Sequence, residues 1–280
     1  MKTVLSIQDL SCVGRCSLTV ALPVLSALGH RCSVLPTAVL STHTGFADPV
    51  VIPMTPHLAA FGDHWAREGV RFDAVTTGYL SDPQQAEAVL SLVRMHRANG
   101  SLIIADPAMG DHGKLYRGMG PGHVAAMQKL CSQADILLPN VTEAAFLTEM
   151  PYPQSPSEAE LAQLASALLS RFPAQAVVIT GVSGSCGTIG FYGHHRETGP
   201  FAYQPPVIPR QFHGTGDLFA AVFTGCLLQG WKIPEAAAKS ADFVRLCVAG
   251  TPAVTPHGVA FEPQLPQLYH YWKEESISNE

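Results

Sequence analysis

Hydrophobic and polar residues follow two different patterns along the chain, and the two patterns alternate. Short runs of β-branched and other apolar residues predict buried strands, whereas longer stretches with apolar residues every three or four positions predict amphipathic helices. Such an alternation is typical of a parallel sheet that is covered by helices on both faces. The strands are predicted at residues 3–7, 33–40, 74–77, 102–105, 136–138, 177–180 and 188–192, and the helices at residues 17–28, 83–98, 121–132, 157–171, 215–229 and 234–249.

Two local motifs refine this picture. The segment Gly193-His194-His195 predicts a hairpin turn into a strand at residues 196–203, which would add antiparallel pairing at one sheet edge. Ser157 followed by Glu160 predicts a capping box that fixes the start of a helix. We therefore predict a three-layer α/β/α fold with a mostly parallel central sheet and an antiparallel edge. Residues 1–280 are interpreted as a single domain, with a charged tail after about residue 273 that is expected to be disordered.

The composition favours a globular enzyme that acts on small molecules. The 280 residues are 47% hydrophobic and 14% charged, with a formal net charge of -5. A chain of this length buries about 70 to 75% of the surface that its unfolded form exposes, so it needs no disulfides for stability. The 17 Lys and Arg residues are outnumbered by 22 Asp and Glu residues, and no basic run occurs. Neither a nucleic acid nor an anionic membrane is therefore expected as a partner.

Cysteine usage and hydropathy indicate the cellular compartment. The seven cysteines are scattered and form no CxxC pair, and there is no HExxH motif, so no zinc site is predicted. Reduced, mostly buried thiols are typical of cytosolic proteins. No segment approaches the roughly 18 uninterrupted apolar residues of a membrane span, and the first apolar run is too short for a signal peptide. We therefore expect a soluble, cytoplasmic protein.

The most informative motif is Gly214-Thr215-Gly216-Asp217, which directly precedes a long apolar helix. Without a Cβ at Gly214 and Gly216, the backbone can turn tightly and direct several free N–H groups at one point, which predicts an anion-binding site. The carboxylate of Asp217 suits a base that accepts the proton of an attacking hydroxyl while the N–H groups stabilise a phosphoryl group in transfer. The alternative is that Thr215 or Asp217 only caps the helix.

Two further predicted strand ends carry polar groups. Asn140 and Glu143 lie three residues apart at the start of a helix and share one face, where an amide and a carboxylate can hold a hydrated Mg²⁺ and nucleotide phosphates. The alternative is a capping pair, with Asn140 as the N-cap and Glu143 as its partner. Asp106 is held extended by the proline that follows it.

Other nucleotide-binding and hydrolase motifs are excluded or weak. There is no GxxxxGK[ST] motif, and the turn predicted to start at Asp9 has one glycine and lacks the GxGxxG spacing. The glycine-rich segment 181–187 misses the GxSxG spacing of a nucleophile elbow, because Ser185 occupies the second glycine position. We interpret this segment as a flexible loop near a nucleotide.

Taken together, six motifs in this order resemble the ribokinase superfamily and, within it, the pyridoxal/pyridoxamine kinases. The resemblance spans about residues 1 to 250. Each motif alone is weak, but their order on the predicted strand ends is specific. The motifs are Ser6-Ile-Gln8, Ser41-Thr-His-Thr-Gly45, Thr77-Gly-Tyr79, Asp106-Pro-Ala-Met-Gly110, Pro139-Asn-Val-Thr-Glu143 and Gly214-Thr-Gly-Asp217.

The resemblance implies ATP-dependent phosphorylation of the 5′-hydroxymethyl group of a vitamin B6 vitamer, either pyridoxal, pyridoxamine or pyridoxine. It implies Asp217 as the catalytic base and a homodimer whose subunits each have a nine- or ten-stranded sheet. By the same resemblance, the anion hole would be formed by Gly214, Thr215 and Gly216, and Mg²⁺ and a monovalent cation such as K⁺ would be organised by Asp106 and Glu143. The nucleotide would be approached by Asn140, Glu143, Thr180 and Thr215. The vitamin pocket would be lined by Asp9, His43, Thr44 and Tyr79, and Tyr116 would close over the substrates.

This sequence departs from the family pattern at two positions. Asp9 stands where many pyridoxal kinases have serine, and we expect its charge to favour a protonated ligand group and hence pyridoxamine. Leu138 stands where the family often has threonine, which removes one oxygen from the implied monovalent cation site.

Two other functions stay open at this point. Hydroxymethylpyrimidine kinase of thiamine synthesis shares the fold and the Gly-Thr-Gly-Asp chemistry, although the stretch from Ser41 to Gly45 favours the B6 interpretation. A ligand sensor on a kinase fold is disfavoured, because a protein that only binds gains nothing from a base in its anion hole.

Overall fold

The computed structural model describes residues 1–184 and 187–272. Its strands are β1 (Thr3–Ser11), β2 (Arg31–Leu40), β3 (Val51–Pro53), β4 (Ala74–Thr77), β5 (Leu102–Ala105), β6 (Gly110–Asp111), β7 (Lys114–Leu115), β8 (Ile136–Leu137), β9 (Ala176–Gly184), β10 (Thr188–His195) and β11 (Gly199–Tyr203). Its helices are α1 (Leu18–Ala27), α2 (Leu58–Arg67), α3 (Gln85–Ala98), α4 (Pro121–Cys131), α5 (Val141–Thr148), α6 (Glu158–Arg171), α7 (Thr215–Leu228) and α8 (Ile233–Gly250), followed by a 3₁₀ helix, Glu262–Tyr271.

Nine of these strands form one sheet, in the order β11-β10-β9-β8-β5-β4-β1-β2-β3. The strands from β9 to β2 in this order are parallel, whereas β10, β11 and β3 pair antiparallel. The mostly parallel sheet with an antiparallel edge is confirmed. Because parallel strands end at the same edge of a sheet, the segments that follow them meet there.

Apolar side chains of successive strand residues pack into two separate cores. Leu5 and Val75 face the layer of α3 to α6, while Val4 and Ala74 face the layer of α1, α7 and α8. A strand buried on both faces has apolar residues at consecutive positions, which explains the short uninterrupted runs in the sequence. The three-layer α/β/α arrangement is therefore confirmed.

Three local predictions were wrong. Strand β1 continues to Ser11, so Asp9 lies in the strand and not in a turn. The hairpin turn lies at residues 196–198 and not at Gly193, which lies opposite Phe201 in β10 and β11. A side chain at Gly193 would collide with the ring of Phe201, so the glycine permits cross-strand packing. Residues 181–184 of the predicted loop belong to β9.

Other predictions are confirmed or stay predictions. The capping box at α6 is present, since the Glu160 N–H donates to Ser157 Oγ (3.3 Å) and the Ser157 N–H donates to Glu160 Oε2 (2.8 Å). Ser185, Cys186 and the tail after residue 273 lie outside the described residues. No helix in the described part of the chain is long and apolar enough to cross a membrane. The single-domain interpretation stays a prediction.

Candidate active site

The Gly-Thr-Gly-Asp motif forms the beginning of α7. Gly214 is the N-cap and has φ +84°, in the left-handed region that favours glycine. A side chain there would also overlap the carbonyl oxygen of Arg15. Both the backbone conformation and the lack of space therefore require glycine at this position. A Cβ on Gly216, by contrast, would meet no heavy atom within 4 Å. The first N–H groups of a helix have no intrahelical partner, so those of Thr215 and Gly216 are available to an anion that enters the open space next to Gly216.

The carboxylate of Asp217 lies in the first turn of α7 and is half-buried. Burial raises its pKa from 3.8 to about 6, and the charge of Asp9 adds to the shift. The backbone N–H of Ser17 opposes the shift by stabilising the charged form. The group is therefore largely ionised at neutral pH yet basic enough to accept a proton.

Asn140 and Glu143 form the capping pair that was one of the two alternatives. The Glu143 N–H donates to Asn140 Oδ1 (2.9 Å), and the Asn140 N–H donates to Glu143 Oε2 (2.8 Å). The Met109 N–H donates to Glu143 Oε1 (3.1 Å), so backbone amides engage both carboxylate oxygens. Glu143 is buried, and this burial raises its pKa to about 8. Thr180 lies next to this pair, because its N–H donates to the carbonyl oxygen of Pro139 (2.9 Å).

Asp106 follows β5 and completes a group of three acidic side chains. Burial raises its pKa well above the ordinary value, and the charges of Glu143 and Asp217 raise it further. Asp106 is therefore repelled by both of the other carboxylates, and none of the three has an ion-pair partner in the described part of the chain. Repulsion of this kind is relieved by a cation, so the donor set fits Mg²⁺.

This set is not a complete metal cage. Within residues 1–184 and 187–272, no three or more His, Cys, Asp and Glu side chains are arranged to hold a metal ion. Magnesium is usually bound by one or two carboxylates together with waters and substrate phosphates, so an incomplete protein site is expected for it. The oxygens of Glu143 already accept hydrogen bonds from backbone N–H groups, so the oxygens of Asp106 are more available to a metal ion.

Asp9 is buried beside Asp217 and is held by two serines. The Ser17 hydroxyl donates to Asp9 Oδ1 (2.5 Å), and the Ser11 hydroxyl donates to Oδ2 (2.9 Å). Burial raises the pKa of Asp9 and exceeds the opposing effect of these bonds. Ser17 has φ 49°, which is rare for a residue with a side chain and costs of order 1–3 kcal/mol. Ser17 is a residue of this site that the sequence analysis missed.

His43 is buried, and both of its ring nitrogens have partners. Nε2 lies 2.8 Å from the Pro256 carbonyl oxygen, and Nδ1 accepts from the Gly45 N–H (3.0 Å), so the ring is neutral with its proton on Nε2. Burial lowers its pKa, in agreement with this state. The ring also packs against Phe46 and His213. It can therefore offer a ligand an apolar surface but no free hydrogen-bonding nitrogen.

The remaining predicted pocket residues differ in exposure. Thr44 is exposed in the loop after β2, and Tyr79 is half-buried after β4. Burial and the charge of Asp9 raise the pKa of Tyr79, which places the two side chains in one electrostatic environment. Tyr116 is 37% exposed, and burial together with Glu143 and Asp106 raises its pKa. The structure thus brings the predicted acidic and tyrosine side chains together at one edge of the sheet.

A sequence profile of the phosphomethylpyrimidine kinase family matches residues 24–260, which is most of the chain. The chain belongs to this kinase family. The kinase is 31% identical over 255 residues to the pyridoxine/pyridoxal/pyridoxamine kinase of Bordetella bronchiseptica, with 85% of each chain covered.

Solved structures agree with this membership. The kinase matches the crystal structure of pyridoxal kinase from Lactobacillus plantarum with a TM-score of 0.88 and 32% identity, covering 96% of this chain and 97% of the other. It matches a protein from Bacteroides thetaiotaomicron, assigned to the phosphomethylpyrimidine kinases and crystallised with pyridoxal, with a TM-score of 0.91 and 33% identity over 96% of each chain. The resemblance to pyridoxal kinases and the ribokinase-like fold are confirmed.

Proposed function

We propose that this kinase transfers the γ-phosphoryl group of ATP to the 5′-hydroxymethyl group of a vitamin B6 vitamer. The observation that carries the proposal is the placement of Asp217, a carboxylate with a raised pKa, in the first turn of α7 beside the open space next to Gly216. Relatives at about a third identity that are named for pyridoxal kinase activity support the choice of substrate.

The chemistry follows from the positions of these groups. Asp217 accepts the proton of the vitamer hydroxyl as its oxygen attacks the phosphorus, and it is ionised at neutral pH for this purpose. The amides of Thr215 and Gly216 lie at the positive end of α7 and stabilise the negative charge of the phosphoryl group in transfer. Both groups act at one point because Gly214 turns the chain tightly before the helix.

Asp106 and Glu143 would hold the Mg²⁺ of the nucleotide, and Asp106 would contribute more because backbone N–H groups already donate to both Glu143 oxygens. When bound, this ion neutralises charge on the phosphates. Asn140 and Thr180 stand beside Glu143 and approach the nucleotide. A monovalent cation such as K⁺ would bind nearby, with one oxygen fewer than usual because Leu138 replaces threonine.

Asp9, His43, Thr44 and Tyr79 line the vitamer pocket in this proposal, and Tyr116 closes over the substrates. His43 contributes an apolar wall, because its ring nitrogens are already engaged. Asp9 contributes negative charge that favours a protonated amine. We also propose that the kinase is a homodimer and works in the cytoplasm.

Phosphorylation of hydroxymethylpyrimidine is the second candidate function. The family profile that matches this chain carries the phosphomethylpyrimidine kinase name, and the two reactions share the phosphoryl-transfer chemistry. They differ in the ring that the pocket accepts.

Release of ADP in the presence of ATP and Mg²⁺ should be measured with pyridoxal, pyridoxamine, pyridoxine and hydroxymethylpyrimidine. The proposal expects the highest kcat/KM with a B6 vitamer, and it fails if hydroxymethylpyrimidine gives the highest value. Binding of a vitamer without any ADP release would identify a ligand sensor instead. A thermal-shift series with the same compounds and a non-hydrolysable ATP analogue detects binding independently of turnover.

A further inference from the structure

Residues 256–259, between α8 and the 3₁₀ helix, lie against three separate parts of the candidate active site. We call them the clamp segment. The first contact is with the predicted vitamer pocket, where the Pro256 carbonyl oxygen lies 2.8 Å from His43 Nε2. None of the six sequence motifs contains the clamp segment, so only the fold brings it to the site.

The other two contacts are backbone hydrogen bonds to residues around the proposed anion hole. The Arg15 N–H donates to the His257 carbonyl oxygen (2.8 Å), and the Val259 N–H donates to the His213 carbonyl oxygen (3.0 Å). Arg15 lies in the loop between β1 and α1, and His213 directly precedes Gly214, the N-cap of α7. The clamp segment therefore joins two distant stretches of the chain at the start of α7.

Gly258 is in close contact with both of these stretches. It has φ +87°, in the left-handed region that favours glycine. A Cβ on Gly258 would lie 2.8 Å from the His213 carbonyl oxygen and 3.0 Å from the Arg15 carbonyl oxygen. The Arg15 carbonyl oxygen in turn occupies the space that a side chain on Gly214 would need. The clamp segment thus packs against the two carbonyl groups next to the Gly214 turn and leaves no room for a side chain.

The loop that contains Arg15 also holds the proposed base. Two residues further along this loop, the Ser17 N–H stabilises the charged form of Asp217, and the Ser17 hydroxyl donates to Asp9. The Arg15 side chain fixes the loop to the 3₁₀ helix, because its Nε donates to Glu262 Oε1 (2.6 Å). The position of the base therefore depends on the same loop that the clamp segment binds.

The clamp segment is itself anchored in the hydrophobic core. Val259 is fully buried and belongs to the core under α1, α7 and α8. Directly after it, the Ala260 N–H donates to the Thr251 hydroxyl (2.9 Å), and this hydroxyl donates to the Cys247 carbonyl oxygen in α8 (2.7 Å). Because buried contacts and hydrogen bonds resist local opening, a segment anchored in this way can hold two loops in fixed positions.

We propose that Gly258 and Arg15 are positioning residues, which hold the anion hole and the base in place for phosphoryl transfer. Gly258 acts through the two carbonyl groups beside Gly214, and Arg15 acts through its own loop. Catalytic groups must be held within about 0.5 Å of the productive geometry, so a small displacement of the Gly214 turn is sufficient to lower kcat. This catalytic role rests on the proposed function, whereas the mechanical link between the clamp segment and the turn does not.

Steady-state kinetics of Gly258→Ala, with pyridoxal and ATP, test the role in catalysis. The added Cβ has to displace the carbonyl groups of His213 and Arg15, so kcat should fall about 10- to 100-fold. KM for ATP should change little, because the displaced groups act on the phosphoryl group in transfer. Gly100→Ala is the matched control, since Gly100 has φ +89° and a Cβ there would meet no heavy atom within 4 Å.

Both variants bear the cost of a left-handed alanine, and only Gly258→Ala should lose kcat. A folded Gly258→Ala variant with the kcat of the wild type, or an equal loss of kcat in Gly100→Ala, overturns the positioning role. A wild type without any vitamer-dependent release of ADP would instead overturn the proposed function.

Amide hydrogen exchange of Glu262→Gln tests the mechanical link without turnover, and it does so even if Gly258→Ala does not fold. The variant loses the ion pair with Arg15. Residues 13–17 and 213–217 should therefore exchange about two- to fivefold faster, the range expected for an exposed ion pair, while α3 should not change. Glu68→Gln is the control, because Glu68 is exposed and makes no ion pair in the described part of the chain. Unchanged exchange at the start of α7, or equally faster exchange in α3, overturns the link.

Discussion

Replacing Asp217 by asparagine should stabilise the protein while it removes the proposed base. The folded state raises the pKa of Asp217 from 3.8 to about 6, chiefly by burial. A shift of about two units corresponds to about 3 kcal/mol, the cost of keeping this carboxylate charged in the folded protein. Asparagine has a similar shape and no charge, so the variant does not bear this cost.

The pH dependence of the effect follows from the same pKa. Below pH 3.8 the group is protonated in both the folded and the unfolded state, and the variant gains little. Between 3.8 and about 6 the folded state retains a proton that the unfolded state has lost, so the free energy of unfolding of the wild type falls as pH rises. Above about 6 the full difference between the two proteins is present.

Thermal unfolding from pH 4 to pH 8 in EDTA, without nucleotide, measures this difference. The Tm of Asp217→Asn should exceed that of the wild type by roughly 5 °C at pH 8, and the excess should disappear toward pH 4. Asp63→Asn, which removes an exposed carboxylate on α2, is the matched control and should show no such pH dependence. A variant that is less stable at every pH, or a difference that does not change with pH, would refute burial as the cause of the raised pKa.

Three further predictions concern single residues. Gly216→Ala should leave stability unchanged or raise it by about 0.5–1 kcal/mol, yet lower kcat strongly, because its Cβ enters only the space proposed for phosphate. Asp9→Ser should lower kcat/KM for pyridoxamine relative to pyridoxal and pyridoxine, measured with all three vitamers. Ser157→Ala should cost about 1 kcal/mol in denaturant unfolding because it removes the cap of α6, with no change in kcat.

Each of these has its own control or contrary outcome. Gly214→Ala should be destabilising, unlike Gly216→Ala, because its side chain would overlap Arg15 O. Equal stability losses at the two glycines would mean that the fold requires both. If the ratio of kcat/KM values among the three vitamers is unaltered in Asp9→Ser, the charge of Asp9 does not determine the preference for pyridoxamine. A change in kcat for Ser157→Ala would show that the distant helix cap influences the site.

The central strands of the fold could be predicted because their local hydrophobic pattern is sufficient to identify them. The strands at Ala74–Thr77 and Leu102–Ala105 were predicted to the residue, because each is a short apolar run with turns on both sides. Strand β3 and helix α2 were missed. All three residues of β3 are exposed, so its sequence carries no burial pattern, and α2 buries few side chains.

Long-range contacts explain what the site analysis could not foresee. Ser17 precedes α1, where a serine is expected to cap the helix, but its side chain makes no cap bond and instead donates to Asp9. Local spacing does identify Asn140 and Glu143 as a pair three residues apart. It cannot tell a capping pair from a metal pair, because only the fold brings Met109 to the second oxygen of Glu143.

The most direct test of the account is a single-turnover measurement of γ-phosphoryl transfer from ATP to pyridoxal at pH 8, by the wild type and by Asp217→Asn. The variant should first be shown by thermal unfolding to be folded, and it should be shown to bind pyridoxal. The account predicts transfer at least about a hundredfold slower in the variant, the loss typical of removing a general base. Equal transfer rates in the two proteins would contradict the assignment of Asp217 as the base.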